Sequence, residues 1–179
     1  MGTHDFSTKI PNTTPDPTAR KCYGVQINAN PLKFCNLHGG HFRLEAAFNE
    51  PELQKHLLGS DLPVTEFKNH GTKYTIQIHI EGQIKFSKQK YSKYRDSLRT
   101  LGGVARQVAE VVKEYIEKTE HNIPNPAKDR WRLGPGYIEF EDIYLKELCQ
   151  VSKASWQVVL GYHHDRSHEA PQHAPSAAV

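Results

Sequence analysis

The stretch KYTIQIHIEGQIKF, residues 73–86, constrains this chain more than any other. Its even positions are Tyr74, Ile76, Ile78, Ile80, Gly82, Ile84 and Phe86, apolar or glycine throughout. Its odd positions are Thr75, Gln77, His79, Glu81, Gln83 and Lys85, polar throughout. A period of two marks a strand that buries one face. The pattern predicts one long strand over 73–86, with His79 and Glu81 side by side on the polar face. Two readings of that face are open. It is the ordinary solvated side of an antiparallel sheet. Or it is a floor on which an imidazole and a carboxylate hold a divalent cation, Mg²⁺ or Mn²⁺ being favoured when further oxygen ligands join.

The segments on either side set the fold class. KCYGVQINA (21–29) and GHFRLEAAF (40–48) read as strands. EPELQKHLL (50–58) reads as a short helix, with acids and Pro in its first turn and Gly59 beyond its end. A helical stretch over 89–120 is interrupted at Gly102-Gly103. Within it Leu98, Leu101, Ala105, Val108, Val112 and Tyr115 recur every three or four residues as one buried stripe. A Pro/Gly-rich connection follows over 121–136. YIEFEDIYLKEL and SWQVVLGY then read as two strands joined through CQVSKAS. Runs of neighbouring strands with helices between them predict an α+β domain, a mainly antiparallel sheet with helices packed on one face. Its expected bounds are 21–162. An extended or disordered arm, 1–20, precedes it, and a disordered His-rich tail, 163–179, follows.

Charge and cysteine usage narrow the setting. The net charge of +3 is compatible with an anionic partner without demanding one. Three cysteines, Cys22, Cys35 and Cys149, are too few and too irregularly spaced for a disulfide framework. The first twenty residues have no apolar core of the kind a signal peptide needs. No run approaches the ~18 apolar residues of a membrane helix. The expectation is an intracellular protein, cytoplasmic or nuclear, not secreted and with no membrane partner.

Three further constellations bear on chemistry. The segment KFSKQKYSKYRDSLR (85–99) carries Lys85, Lys88, Lys90, Lys93, Arg95 and Arg99 against one acid, Asp96, with Tyr91 and Tyr94 among them. Cations take phosphates and aromatic faces stack on bases, so the segment reads as a single-stranded nucleic-acid surface. The plainer alternative is a solvated charged helix face. In VVKEYIEK (111–118), Tyr115 and Lys118 lie on adjacent turns of one helix side. A tyrosine so placed beside a metal is a phosphodiester nucleophile, whereas one that continues the apolar stripe is a core residue. In CNLHGGH, Cys35, His38 and His41 have zinc-ligand chemistry but no evident fourth ligand, and a structural loop is the simpler reading.

Taken in order, these motifs resemble those of HUH-type rolling-circle replication initiators, the Rep endonucleases of small circular single-stranded DNA replicons. YGVQINAN (23–30) is similar to that family's first motif, IHIEGQIKF (78–86) to its second and VKEYIEK to its third, and the likeness spans residues 21–118. The resemblance implies that His79 and Glu81 bind Mg²⁺ or Mn²⁺, with Glu66 or His70 as a further ligand. It implies that Tyr115 attacks a DNA phosphate, forming a 5′-phosphotyrosine, while Lys118 positions the phosphate or metal-bound water. The chain departs from the family where Glu81 replaces a His or Gln and where helix is read between the second and third motifs. The expected function is therefore nucleic-acid binding, with metal-dependent nicking of single-stranded DNA as its catalytic form. The alternative is a non-catalytic viral-type nucleic-acid-binding or capsid-like assembly protein, for which a homo-oligomer is the natural state.

Overall fold

The computed structural model describes residues 8–11, 30–65, 73–91, 100–120, 131–152 and 154–163. The strands are β1 (Thr8–Lys9), β2 (Leu32–Lys33), β3 (Phe42–Arg43), β4 (Lys73–Ile78), β5 (Phe86–Tyr91), β6 (Ile143–Ser152) and β7 (Ser155–Tyr162). The helices are α1 (Glu50–His56) and α2 (Leu101–Thr119). The strands form one sheet in the order β2-β6-β7-β4-β5, with β1 paired to β7 and β3 to β6. Every pairing is antiparallel except β4 with β7, which is parallel. Parallel neighbours require a crossover connection, and the chain between β4 and β7 supplies it with α2. The fold is α+β, as the segment pattern predicts.

The expected single strand over 73–86 is instead a hairpin. β4 ends at Ile78 and β5 begins at Phe86, with Ile78 and Phe86 directly opposite one another. Gly82 in the connection has φ of 76°, a left-handed conformation that glycine adopts without steric cost. Residues 86–91, read from the sequence as strand end and helix start, form β5 as a whole. The helix starts only at Leu101. Gly102 and Gly103 lie in its first turn rather than breaking it. A methyl group on Gly102 would come within 2.9 Å of Leu53 Cδ2 and 3.2 Å of the Ser60 carbonyl oxygen, so glycine lets the start of α2 approach the end of α1 closely. Of the expected strand 40–48, only Phe42–Arg43 pairs with the sheet, and Leu44–Phe48 is a 3₁₀ turn. The expected strand 21–29 lies outside the described residues. Within the expected arm, Thr8–Lys9 pairs with β7 and Ile10 is fully buried.

The core lies between α2 and one sheet face. Tyr74, Ile76 and Ile78 of β4 are buried on that face, and Tyr74 donates its hydroxyl hydrogen bond to the Gln107 amide oxygen on α2. Val104, Val108, Val111, Val112 and Tyr115 are the helix's answering residues. Trp156 of β7 pairs in register with Ile76 and is fully buried. Both ends of α2 are closed. Thr100 accepts a hydrogen bond from the Gly103 amide at 3.1 Å. Arg132 donates to the carbonyls of Thr119 and Glu120 at 3.3 and 3.0 Å, satisfying acceptors the last turn leaves unpaired. Thr100→Ala is expected to cost about 1 kcal/mol, seen as a lower urea midpoint at unchanged slope.

Candidate functional site

The opposite sheet face carries the polar row, and its exposure changes from strand to strand. Thr75 and Gln77 of β4 are half-buried, and their β7 partners are Ser155 and Gln157. Gln157 is buried, whereas Ser87, Gln89 and Tyr91 of β5 are exposed. Water therefore reaches this face mainly along β5, the last strand in the sheet order, roughly 20 Å long at about 3.4 Å per residue.

Strand parity divides the expected nucleic-acid residues. Lys88 and Lys90 share the α2 side with Phe86, since their partners on β4 are Ile76 and Tyr74. There Lys88 pairs with Glu114 at 2.9 Å and Lys90 with Glu110 at 2.6 Å. These two cations staple the edge strand to the helix, and their charges are matched locally. Glu114 also meets Lys118 at 3.1 Å. Hydrogen bonds from Lys88 and Lys118 hold its carboxyl below the usual range. Tyr91 has the other parity. It lies directly across from Lys73, is 47% exposed, and carries the Lys73 ammonium 5.1 Å from its ring centre. Lys85, also exposed, sits at the far end of the same hairpin. Lys93, Tyr94, Arg95 and Arg99 lie outside the described residues. Lys73 was not singled out in the sequence, because only the pairing register brings it to Tyr91.

The catalytic constellation does not come together. Tyr115 is 1% exposed and packs its ring 5.8 Å from Phe86, in the layer between α2 and the sheet. Burial pushes its hydroxyl up to about 12, opposed by the nearby Arg132. Tyr115 thus sits in the packed layer as its place in the apolar stripe of α2 requires. Lys118 lies 4.9 Å over the Phe86 ring and is tied to Glu114. His79 follows Ile78 with the opposite parity, away from the Tyr115 layer. It is half-buried, and burial together with the Lys85 charge lowers its pKa.

Only part of the expected metal set falls within the described residues. Glu81 is exposed in the turn, and His70 and Glu66 lie outside the described residues. Of the described pair, His79 has the Lys85 charge acting on it, which disfavours a further cation there. Among the described residues no group of three or more His, Cys, Asp or Glu side chains is placed to hold a metal. Cys35 and His41 face one another across an isolated bridge, and His38 turns instead to His56, ring centres 6.2 Å apart.

Sequence reasoning also passed over a cleft of about 850 Å³ on the other flank of α2. The 3₁₀ turn Leu44–Phe48 gives it Glu45 and Phe48, α1 gives Glu52 and His56, α2 gives Lys113, a second 3₁₀ turn (Phe140–Asp142) gives Phe140 and Glu141, and β6 gives Tyr144. Phe48 and Phe140 meet at 5.8 Å, and Lys113 lies 5.7 Å from the centre of the Phe48 ring. Arg43 donates to the Tyr144 hydroxyl at 3.4 Å and lies over that ring. His56 and Glu52 share a 2.9 Å hydrogen bond. These elements come from three stretches far apart in the chain, so no local motif announces the cleft.

Among the described residues no helix is long and apolar enough to cross a membrane. No protein-family model, curated protein or solved structure matches the chain.

Proposed function

We propose that this protein binds single-stranded nucleic acid along the exposed face of the β4–β5 hairpin, and that it does so without using Tyr115 as a nucleophile. The observation that carries the reading is the Tyr91–Lys73 pair. An exposed aromatic face offers a stacking surface that accepts any base. The ammonium beside it and Lys85, in the connection just before β5, supply phosphate contacts, and Ser87 and Gln89 supply hydrogen-bonding groups between them. The surplus of positive charge over the whole chain favours approach by a polyanion. The Rep-type reading needs Tyr115 to reach a phosphate at the His79–Glu81 side, and the position of Tyr115 supports the non-catalytic form.

Incubation with labelled single-stranded oligonucleotides and Mn²⁺, followed by a denaturing protein gel, separates the two. The expected result is no labelled band at protein mass, for wild type or Tyr115→Phe, while both bind the same oligonucleotides equally in solution. A covalent band that disappears in Tyr115→Phe would establish the tyrosine nickase and overturn the proposal.

A further inference from the structure

The cleft between the 3₁₀ turn, α1, α2 and the start of β6 lies apart from the hairpin, and its lining has a different chemistry. We infer that it is a recognition site for a short peptide segment that carries an acidic and a basic side chain on either side of an apolar one.

Volume comes first. A cleft of about 850 Å³ is in the range of pockets that enclose a ligand of several hundred daltons. The floor is apolar, formed by the Phe48–Phe140 pair, and Phe48 remains 44% exposed despite its ring contacts. An apolar side chain laid on those rings would remove the remaining ring surface from water.

The charges around that floor argue against a ligand of one sign. Lys113 directs its ammonium to the Phe48 ring, not to a carboxylate, and so keeps its capacity to bind an acid. Glu45 and Glu141 are exposed on the lining, and Glu141 adjoins Phe140 at the other end of the aromatic pair. Glu52 is already engaged by His56 and, at 3.7 Å, by Lys55. Arg43 is engaged by Tyr144. An all-anionic guest such as a nucleotide phosphate meets Lys113 but also Glu45, Glu141 and Glu52. An all-cationic guest meets those acids but also Lys113 and Arg43. A guest with one charge of each sign satisfies both ends, and complementary placement of charge selects partners against like-charged alternatives. An extended polypeptide sends alternate side chains to one face, so an acid, an apolar residue and a base two positions apart meet the two ends and the floor of the cleft together.

The probe is fluorescein-labelled Gly-Glu-Gly-Leu-Gly-Arg-Gly, titrated with the full chain and read by fluorescence anisotropy. Gly-Gln-Gly-Leu-Gly-Gln-Gly and Gly-Arg-Gly-Leu-Gly-Arg-Gly serve as comparisons. The mixed-charge peptide is expected to bind tighter than either. Lys113→Ala should weaken it about tenfold, the scale of one charge-assisted hydrogen bond. Lys113→Glu should invert the preference, so that Gly-Arg-Gly-Leu-Gly-Arg-Gly becomes the better ligand. That inversion is a gain no unfolded variant can mimic. Tyr91→Ala should leave peptide affinity unchanged, which keeps this site distinct from the hairpin. The inference is overturned by equal or absent binding of the three peptides, by a Lys113→Glu variant that keeps the wild-type preference, or by displacement of the mixed-charge peptide with adenosine monophosphate.

Discussion

Trp156→Ala is expected to lower the unfolding free energy by about 3–5 kcal/mol, the range for removing a large buried aromatic. The indole is fully buried on the sheet face covered by α2, on the strand that joins the two halves of the sheet. β7 pairs with β6 on one side and with β4 on the other, and Trp156 itself stands opposite Gln150 and Ile76. Deleting the indole removes the transfer free energy of its atoms and opens a cavity that fixed strands on both sides cannot collapse into. A domain of this size has about 5–15 kcal/mol in hand, so the loss is a large share of the total. At about 2–4 °C per kcal/mol for a chain of this length, the melting temperature should fall by roughly 6–20 °C. A fall of only a degree or two would mean that the indole is not packed between β7 and α2. By contrast Tyr115→Phe removes a hydroxyl and keeps the ring against Phe86, so its effect on stability should be small. The two substitutions together separate the packing role of the helix layer from any chemical role of its tyrosine.

The parts of the fold that depend on one repeating pattern were legible, and the parts that depend on register were not. The stripe through Leu101, Ala105, Val108, Val112 and Tyr115 is buried as its spacing requires, and it already placed Tyr115 where a core residue belongs. Ser155–Tyr162 is the strand its β-branched and aromatic content predicts, whereas the strand expected over 137–148 starts only at Ile143, after a 3₁₀ turn at Phe140–Asp142, and runs on through the expected link to Ser152. The alternation over 73–86 misled because the hairpin connection preserves it. Ile80 is buried and Ile84 is 59% exposed, yet both fall on even positions. The only local sign of the turn is Gly82 beside Glu81. β5 was hidden for a related reason. Its sequence FSKQKY is mostly exposed, and Lys and Gln favour helix when nothing else decides. The Lys88–Glu114 and Lys90–Glu110 bridges decide it, together with pairing to β4. The same hairpin separates the described part of the basic run, with Lys88 and Lys90 on the α2 side and Tyr91 on the other. A helix would have set its cations around a cylinder, whereas a strand sends alternate ones to opposite faces.

Tyr91→Ala combined with Lys73→Ala is expected to reduce affinity for single-stranded oligonucleotides by about one to two orders of magnitude. Loss of one aromatic stacking surface is worth ~1–3 kcal/mol, and each 1.4 kcal/mol is about tenfold. Lys73 adds one phosphate contact. Its removal should lower the steepness with which affinity falls as salt rises by about 0.7, the share of one contact on a single strand. Because Lys73 and Tyr91 are directly paired, the two substitutions should be less than additive when made together. Lys88→Ala should behave differently. Its ammonium is bound to Glu114 on the α2 side, so its loss removes a surface ion pair worth a few tenths of a kcal/mol to about 1 kcal/mol and leaves the salt slope nearly unchanged. Anisotropy titrations of wild type, the two single variants, the double variant and Lys88→Ala at several salt concentrations measure all of this in one series. A double variant that binds like wild type, alongside a Lys88→Ala variant with a reduced salt slope, would move the nucleic-acid surface to the helix side of β5 and refute the hairpin-face proposal. The expected pattern, with the large loss confined to the Tyr91–Lys73 pair, would make the exposed odd-numbered face of β4 and β5 the surface on which this protein holds its strand.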